Sequence, residues 1–157
     1  MKVAVGSDHR GYETKQQICS VVEQLGHEVV DFGAQNSEPM DYPDVAYRVS
    51  RAVAKGQADM GVLACGTGIG MCMAANKIKG VRAALCHDEL SAQISRQHND
   101  ANVLCLGGDL IGDILLRKIV EVWLSTGFSG GRHQRRVRKI QAIEEGKKPD
   151  EIKNGGN

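Results

Sequence analysis

In Met60-Gly61-Val62-Leu63-Ala64-Cys65-Gly66-Thr67-Gly68-Ile69-Gly70 an apolar run leads into alternating glycines and then into a helical segment, and the rest of the chain is organised around this pattern. A strand that runs through a tight turn into a helix is the repeating unit of parallel sheets covered by helices. The glycines let the backbone come close to a ligand, and the free N–H groups at a helix start favour an anion. A plain tight turn after a buried cysteine would look the same, since free cysteines are common in cores.

Two side chains in this loop carry possible chemistry. Cys65 stands where the apolar run ends, and Thr67 follows two residues later among backbone N–H donors. A thiol can act as a base, and a cluster of N–H and hydroxyl donors can stabilise an oxyanion. The loop therefore predicts a base beside an oxyanion hole, with the buried turn as the alternative.

The same alternation of strand and helix continues along the chain on both sides of this loop. Short apolar runs predict five strands, at Val3–Gly6, Glu28–Phe32, Gly61–Cys65, Val81–Cys86 and Val103–Leu106. Helices are predicted between them, with one beginning at an Asp44 cap and a final basic one at Arg132–Glu145. We expect an α/β, doubly wound (Rossmann-like) three-layer sandwich with a five-stranded parallel sheet and a C-terminal helix. Residues 1–146 would form one domain and residues 147–157 a flexible tail.

Composition narrows the class of protein. The 157 residues are 41% hydrophobic and 25% charged with a net charge of +1, which gives no general attraction to nucleic acid or to membranes. No apolar run approaches the roughly 20 residues of a membrane span, and we expect no signal peptide, since Met1 leads at once into a strand. The five cysteines show no metal-binding spacing and predict reduced thiols in a cytoplasmic protein.

Polar and titratable residues follow each predicted strand, at the edge where doubly wound folds bind ligands. They are Ser7-Asp8-His9, the long loop with Asp41 and Tyr42, Cys65-Gly66-Thr67, His87-Asp88 and Gly107-Gly108-Asp109. Their recurrence at one edge predicts a site there more firmly than any single motif does.

Other motifs have ordinary explanations when taken alone. His98-Asn99-Asp100 is typical of a turn, and Asp8-His9 of a helix cap. The basic run after Arg132 is typical of a solvated helix face, although Arg132 and Arg136 share one face and suit a phosphate. The glycine spacing differs from that of dinucleotide sites, and Asp88 alone keeps that hypothesis open weakly.

From Val3 to about Glu145 the chain resembles the type B ribose-5-phosphate isomerases, of the family that includes galactose- and allose-6-phosphate isomerases. Seven ordered motifs carry the resemblance: Gly6-Ser7-Asp8-His9, Asp41-Tyr42-Pro43, the loop from Cys65 to Gly70, Ala74-Ala75-Asn76-Lys77, Ser91-Ala92-Gln93, the run from Ser95 to Asn102, and Gly130-Gly131-Arg132-His133-Gln134-Arg135-Arg136.

The resemblance implies a metal-free, cofactor-free aldose–ketose isomerisation of a sugar phosphate through an enediolate. Cys65 would be the base, since Met71 stands where some members carry a catalytic Glu. The resemblance also implies that Thr67 and the loop around Gly66, Gly68 and Gly70 stabilise the oxyanion. His98, aided by Asp8, would open the sugar ring. The phosphate would be bound by His9, Arg132 and Arg136, and Tyr42 and Asn99 would lie near the sugar. A homodimer or homotetramer with a site shared between subunits is implied too.

One position departs from the family. Typical ribose-phosphate members carry Arg as a phosphate contact where this chain has Asp109. A carboxylate facing a phosphate is unfavourable. Ribose 5-phosphate and ribulose 5-phosphate are the predicted pair, and the alternative is the same chemistry on a tetrose or hexose phosphate such as allose 6-phosphate. A non-catalytic nucleotide or sugar-phosphate binding module is the more distant alternative.

Overall fold

The sheet has five parallel strands in the order β2-β1-β3-β5-β4. The structure, a computed structural model, describes residues 1–152. The strands are β1 Lys2–Ser7, β2 Glu28–Asp31, β3 Met60–Cys65, β4 Ala83–Leu85 and β5 Val103–Gly107. β1, β3 and β5 are almost wholly buried because helices cover both faces, which is why each reads as a continuous apolar run. All five strands end at the same edge, called here the carboxyl edge.

Helices lie on both faces of this sheet, so the predicted three-layer, doubly wound fold is confirmed. They are α1 Tyr12–Gln24, α2 Tyr42–Ala54, α3 Ile69–Ala75, α4 Glu89–Asn99, α5 Asp113–Ser125 and α6 Arg132–Glu144. One core, around the fully buried Trp123, joins the sheet to α1, α4 and α5. The other, around the fully buried Met71, joins it to α2 and α3. The predicted C-terminal helix is α6, which packs against α4.

Two predicted boundaries differ from the structure. The fourth strand is shorter than the predicted Val81–Cys86, because the Val81 N–H bonds to Ile78 and the Arg82 N–H bonds to the Asn102 side chain instead of a neighbouring strand. α2 begins at Tyr42 with Asp41, not Asp44, as its N-cap residue. Pro43 suits the first turn, where a missing N–H costs nothing.

The predicted flexible tail contains some regular structure. Pro149–Glu151 forms one turn of 3₁₀ helix after α6, and the Lys147 N–H bonds back to Ala142. Residues 153–157, the end of that tail, lie outside the described residues.

A buried lysine fixes the loop that leads into the site. Lys15 on α1 is fully buried, and its Nζ lies 2.6 Å from Asp31 Oδ2 and 2.6 Å from the Ala34 carbonyl. A buried ammonium group needs such partners, and removing one partner of a buried ion pair typically costs about 3–5 kcal/mol. The pair therefore ties α1 to the end of β2, where the loop toward Met40 begins.

Candidate active site

Cys65 is the last residue of β3 and is 5% exposed. The Gly68 N–H donates to its Sγ over 3.1 Å. Gly68 has φ +76°, and a Cβ there would lie 2.9 Å from the Leu106 carbonyl carbon, so glycine is required. The loop therefore curls back over the thiol before α3 begins.

Thr67 and Tyr42 line the open side of this loop. Thr67 is exposed, and its Oγ1 accepts from the Ile69 N–H over 3.3 Å, which leaves the hydroxyl proton free for a ligand. The Tyr42 ring lies against Gly70, where a Cβ would approach within 2.6 Å of two ring carbons. Gly70 thus lets an aromatic ring pack directly on the start of α3.

Asp8 and His9 follow β1 at the same edge. The buried Asp8 accepts from the Gly11 N–H over 2.9 Å, so it holds the turn before α1. Both the N–H and the carbonyl of Met40 lie 3.2 Å from His9 Nδ1. The ring is thereby fixed by the loop before α2, and its other nitrogen, Nε2, is the one left to face a ligand.

Asp109 follows β5 and pairs with a residue that the sequence analysis did not select. Arg10 Nη2 donates to Asp109 Oδ2 over 2.5 Å. We call Asp8, His9, Arg10, Tyr42, Asp109 and the loop 65–70 the carboxyl-edge cluster. Arg10 stands directly after two selected residues, but nothing in the sequence indicates a contact with a residue 99 positions away.

The remaining predicted residues lie at the opposite end of the sheet. α4 starts at the carboxyl edge, where Asp88 caps it through Ser91, and returns to the amino ends of the strands. Its last residues are His98 and Asn99, and Arg82, just before β4, donates to the Asn99 carbonyl. Asp88 is therefore a helix cap, which removes the basis of the weak dinucleotide hypothesis.

α6 brings its basic residues to His98. The rings of His98 and His133 stack with centroids 4.0 Å apart and an angle of 5° between their planes. Burial, together with the nearby His98, Arg132 and Arg136, lowers the pKa of His133. His98, Asn99, Arg132, His133 and Arg136 form what we call the amino-edge cluster.

One chain does not bring the two clusters together. The central strand β5 separates the two edges by five residues, and at roughly 3.3 Å per residue this is on the order of 15 Å. Within one chain, the thiol and Asp8 thus lie far from His98, and His9 far from Arg132 and Arg136. His133 is an additional polar residue that sequence reasoning missed, although its place beside Arg132 was a usable signal.

Two other possible centres, one at Met71 and one at a metal ion, are not found among residues 1–152. Met71 is fully buried in the core, and its thioether cannot act as a base. Between residues 1 and 152, no group of three or more His, Cys, Asp or Glu side chains is placed to hold a metal ion. Over the same residues, no helix is long and apolar enough to cross a membrane.

Comparison with known proteins gives consistent matches over nearly the whole chain. Residues 3–140 match the family described as Ribose/Galactose Isomerase. The chain is 49% identical over 144 residues to ribose-5-phosphate isomerase B of Escherichia coli (strain K12), covering 92% of this chain and 97% of that protein. It is 41% identical over 145 residues to D-erythrulose-4-phosphate isomerase of Pectobacterium atrosepticum, covering 92% and 95%.

Solved structures of similar proteins share the fold. Ribose-5-phosphate isomerase B of Clostridium thermocellum superimposes with a TM-score of 0.92 at 47% identity, covering 93% of this chain and 99% of that one. The enzyme of the same name from Mycoplasma genitalium, solved with bound ribulose-5-phosphate, gives a TM-score of 0.88 at 44% identity, covering 92% and 96%.

Proposed function

The chain belongs to the ribose/galactose isomerase family, and from this premise we propose that it interconverts ribose 5-phosphate and ribulose 5-phosphate. The family resemblance seen in the sequence is confirmed by these matches. The observation that carries the proposal is the buried Cys65 thiol, which accepts the Gly68 N–H in a loop of donors at the ligand-binding edge.

In the proposed reaction Cys65 removes the proton from C2 of the open-chain aldose and returns it to C1, while the proton of the C2 hydroxyl passes to O1, so that C2 becomes the carbonyl carbon. The electron pair released at C2 forms the double bond of an enediolate, and negative charge builds up on oxygen. The Thr67 hydroxyl and the loop N–H groups stabilise that oxygen, a contribution worth about 10²–10³ in rate for one donor in other enzymes. No metal ion or cofactor takes part in these steps.

His9 is proposed to bind the phosphate from the carboxyl edge. The backbone of Met40 holds Nδ1 of the ring, and an N–H at Nε2 would donate to a phosphate oxygen. The substrate then lies across the loop, with its carbonyl end at Cys65 and its phosphate toward His9. Tyr42, against Gly70, stands beside the sugar.

We further propose that the site is completed by a second copy of the chain in a homodimer or a larger assembly built from such dimers. The partner subunit would supply the amino-edge cluster, with His98 aided by Asp8 for ring opening, Asn99 near the sugar, and Arg132 and Arg136 at the phosphate. Two observations support this. The clusters lie at opposite edges within one chain, and Ile69 and Met73, one turn apart on α3, are 46% and 64% exposed. A partner subunit would cover this apolar face.

The five cysteines are free thiols, as expected for a protein of a reducing compartment. We therefore extend the proposal to a cytoplasmic enzyme.

A panel of four-, five- and six-carbon sugar phosphates tests the substrate. The proposal expects the highest kcat/KM with ribose 5-phosphate. A tetrose phosphate is the second candidate, favoured by Asp109 and by the name of the Pectobacterium relative. A higher kcat/KM for the tetrose or for allose 6-phosphate would replace the substrate and keep the reaction, whereas no turnover of any of them would refute the proposed activity.

A further inference from the structure

Arg10 and Asp109 form a bridge over the glycine loop. Arg10 follows β1 and Asp109 follows β5, and β3 lies between these strands in the sheet. A Cβ on Gly66 would lie 2.7 Å from Asp109 Oδ2 and 2.9 Å from Arg10 Nε. The ion pair therefore crosses directly above the backbone of Gly66, the residue next to Cys65.

The loop after β5 is also bonded to the glycine loop. The Gly108 N–H donates to the Cys65 carbonyl over 2.8 Å, and the Asp109 N–H donates to the Gly66 carbonyl over 3.0 Å. The position of the Asp109 carboxylate is consequently tied to the backbone that carries the thiol. Through the ion pair, the position of Arg10 is tied to the same backbone.

Stability alone does not explain this pair. The Arg10 and Asp109 side chains are 62% and 40% exposed, and exposed ion pairs contribute little to stability. The Arg117–Glu121 pair on α5 is similarly exposed but lies on a regular helix surface. Of these two pairs, Arg10–Asp109 is the one that lies against the loop of Cys65.

Charge indicates what the bridge does. A guanidinium has five N–H donors in a planar fork that suits phosphate oxygens. Within residues 1–152, Asp109 is the hydrogen-bond partner of the Arg10 side chain, and it accepts a hydrogen bond from Nη2. The carboxylate thus fixes and neutralises one side of the guanidinium, and the other N–H groups stay available to an anion. Arg10 also directly follows His9, the proposed phosphate ligand of this edge.

We propose that Arg10 is a substrate-binding residue for the phosphate group, and that Asp109 is its positioning residue. Arg10, in the turn after β1, then supplies a cation at the edge where β5 is followed by the Asp109 carboxylate. This inference rests on the proposed function, because it names a further residue of the same site.

Kinetics of Arg10→Ala, with inorganic phosphate as a competing anion, test the proposal. Losing hydrogen bonds to a charged group should raise KM and the inhibition constant of phosphate in parallel, on the order of 10- to 100-fold, with little change in kcat. Asp109→Asn should raise both less, because the guanidinium remains but is held less firmly. Arg117→Ala is the matched control and should change neither.

A charge exchange separates anion binding from a structural ion pair. The double variant R10A/D109R cannot re-form the pair but returns a cation to the loop, so it should recover much of the phosphate affinity that Arg10→Ala loses. Unchanged KM and phosphate inhibition in Arg10→Ala would overturn the proposal, as would a loss confined to kcat. If the wild-type protein isomerised no sugar phosphate, the proposed function would fail, and calorimetric binding of inorganic phosphate to the same variants would still test Arg10.

Discussion

Cys65 at the carboxyl edge is nearly buried and receives a backbone hydrogen bond, whereas Arg132 and Arg136 at the amino edge are exposed on one face of α6. The carboxyl-edge cluster is built by loops that follow strands, and close packing fixes its glycines. The amino-edge cluster is built by two helices that meet through a pair of stacked histidines. One chain therefore carries the proposed base and oxyanion hole at one edge of the sheet and the proposed phosphate-binding arginines at the other. Neither end alone has what the proposed reaction needs.

Of the substitutions that test the two edges, removal of the Cys65 thiol should have the largest effect on activity. Cys65→Ala is expected to lower kcat by about 10²–10⁴, the usual contribution of a general base, with KM nearly unchanged. Steady-state kinetics with ribose 5-phosphate measure it. Cys19→Ser is the control, because burial raises the pKa of the Cys19 thiol to about 11 and leaves it neutral. A Cys65→Ala enzyme with wild-type kcat would show that the carboxyl edge does not supply the base.

Removing the exposed cations should affect binding more than chemistry. The double variant Arg132→Ala/Arg136→Ala is expected to raise KM by about 100-fold or more, since each charged hydrogen bond contributes roughly 1.5–3 kcal/mol. Arg138→Ala, also exposed on α6, is the matched control. If both variants had the KM of the wild type, the amino-edge arginines would be only a solvated helix face.

The smallest effect is expected at His133 and appears as a pH dependence of stability. Its pKa in the folded chain lies below the ordinary value of 6.5, so the unfolded chain binds more protons as the pH falls below that value. The neutral His133 ring therefore contributes to the free energy of unfolding above pH 6.5, and this contribution is lost as the pH falls from there through the pKa of the folded chain.

Thermal unfolding between pH 8 and pH 5 measures this dependence. Wild-type Tm should decline with acid more steeply than that of His133→Asn, while His87→Asn, an exposed control at the carboxyl edge of the sheet, should follow the wild type. Parallel curves for wild type and His133→Asn would mean that the stacked ring carries no such coupling.

Much of the fold could be predicted because buried strands appear in the sequence as short apolar runs. The continuous apolar runs of β1, β3 and β5 mark strands covered on both faces. The edge strand β4 is shorter than predicted, because Val81 is buried in a turn and does not pair with a neighbouring strand. Asp41 was missed as the cap of α2 because Asp44 suits the same role one turn later.

The site could be predicted only in part. Residues that follow strands lie at one edge by topology, so the carboxyl-edge cluster was accessible from the sequence. The same rule, applied in reverse, places His98 and Asn99 at the amino edge, because they end a helix and precede a strand. The Arg10–Asp109 contact and the His98–His133 stack join residues far apart in sequence, and local patterns carry no information on such pairs.

Subunit complementation tests whether the carboxyl-edge cluster of one chain meets the amino-edge cluster of another. Cys65→Ala and Arg132→Ala/Arg136→Ala chains with different affinity tags are co-expressed, and the mixed dimer is isolated by both tags. In a two-fold dimer with shared sites, one site then holds all the mutations and the other none. If the clusters meet across two chains, the mixed dimer should have about half of the wild-type kcat/KM per dimer, far above either parent variant. A mixed dimer as inactive as both parents would contradict it and place each site within a single chain.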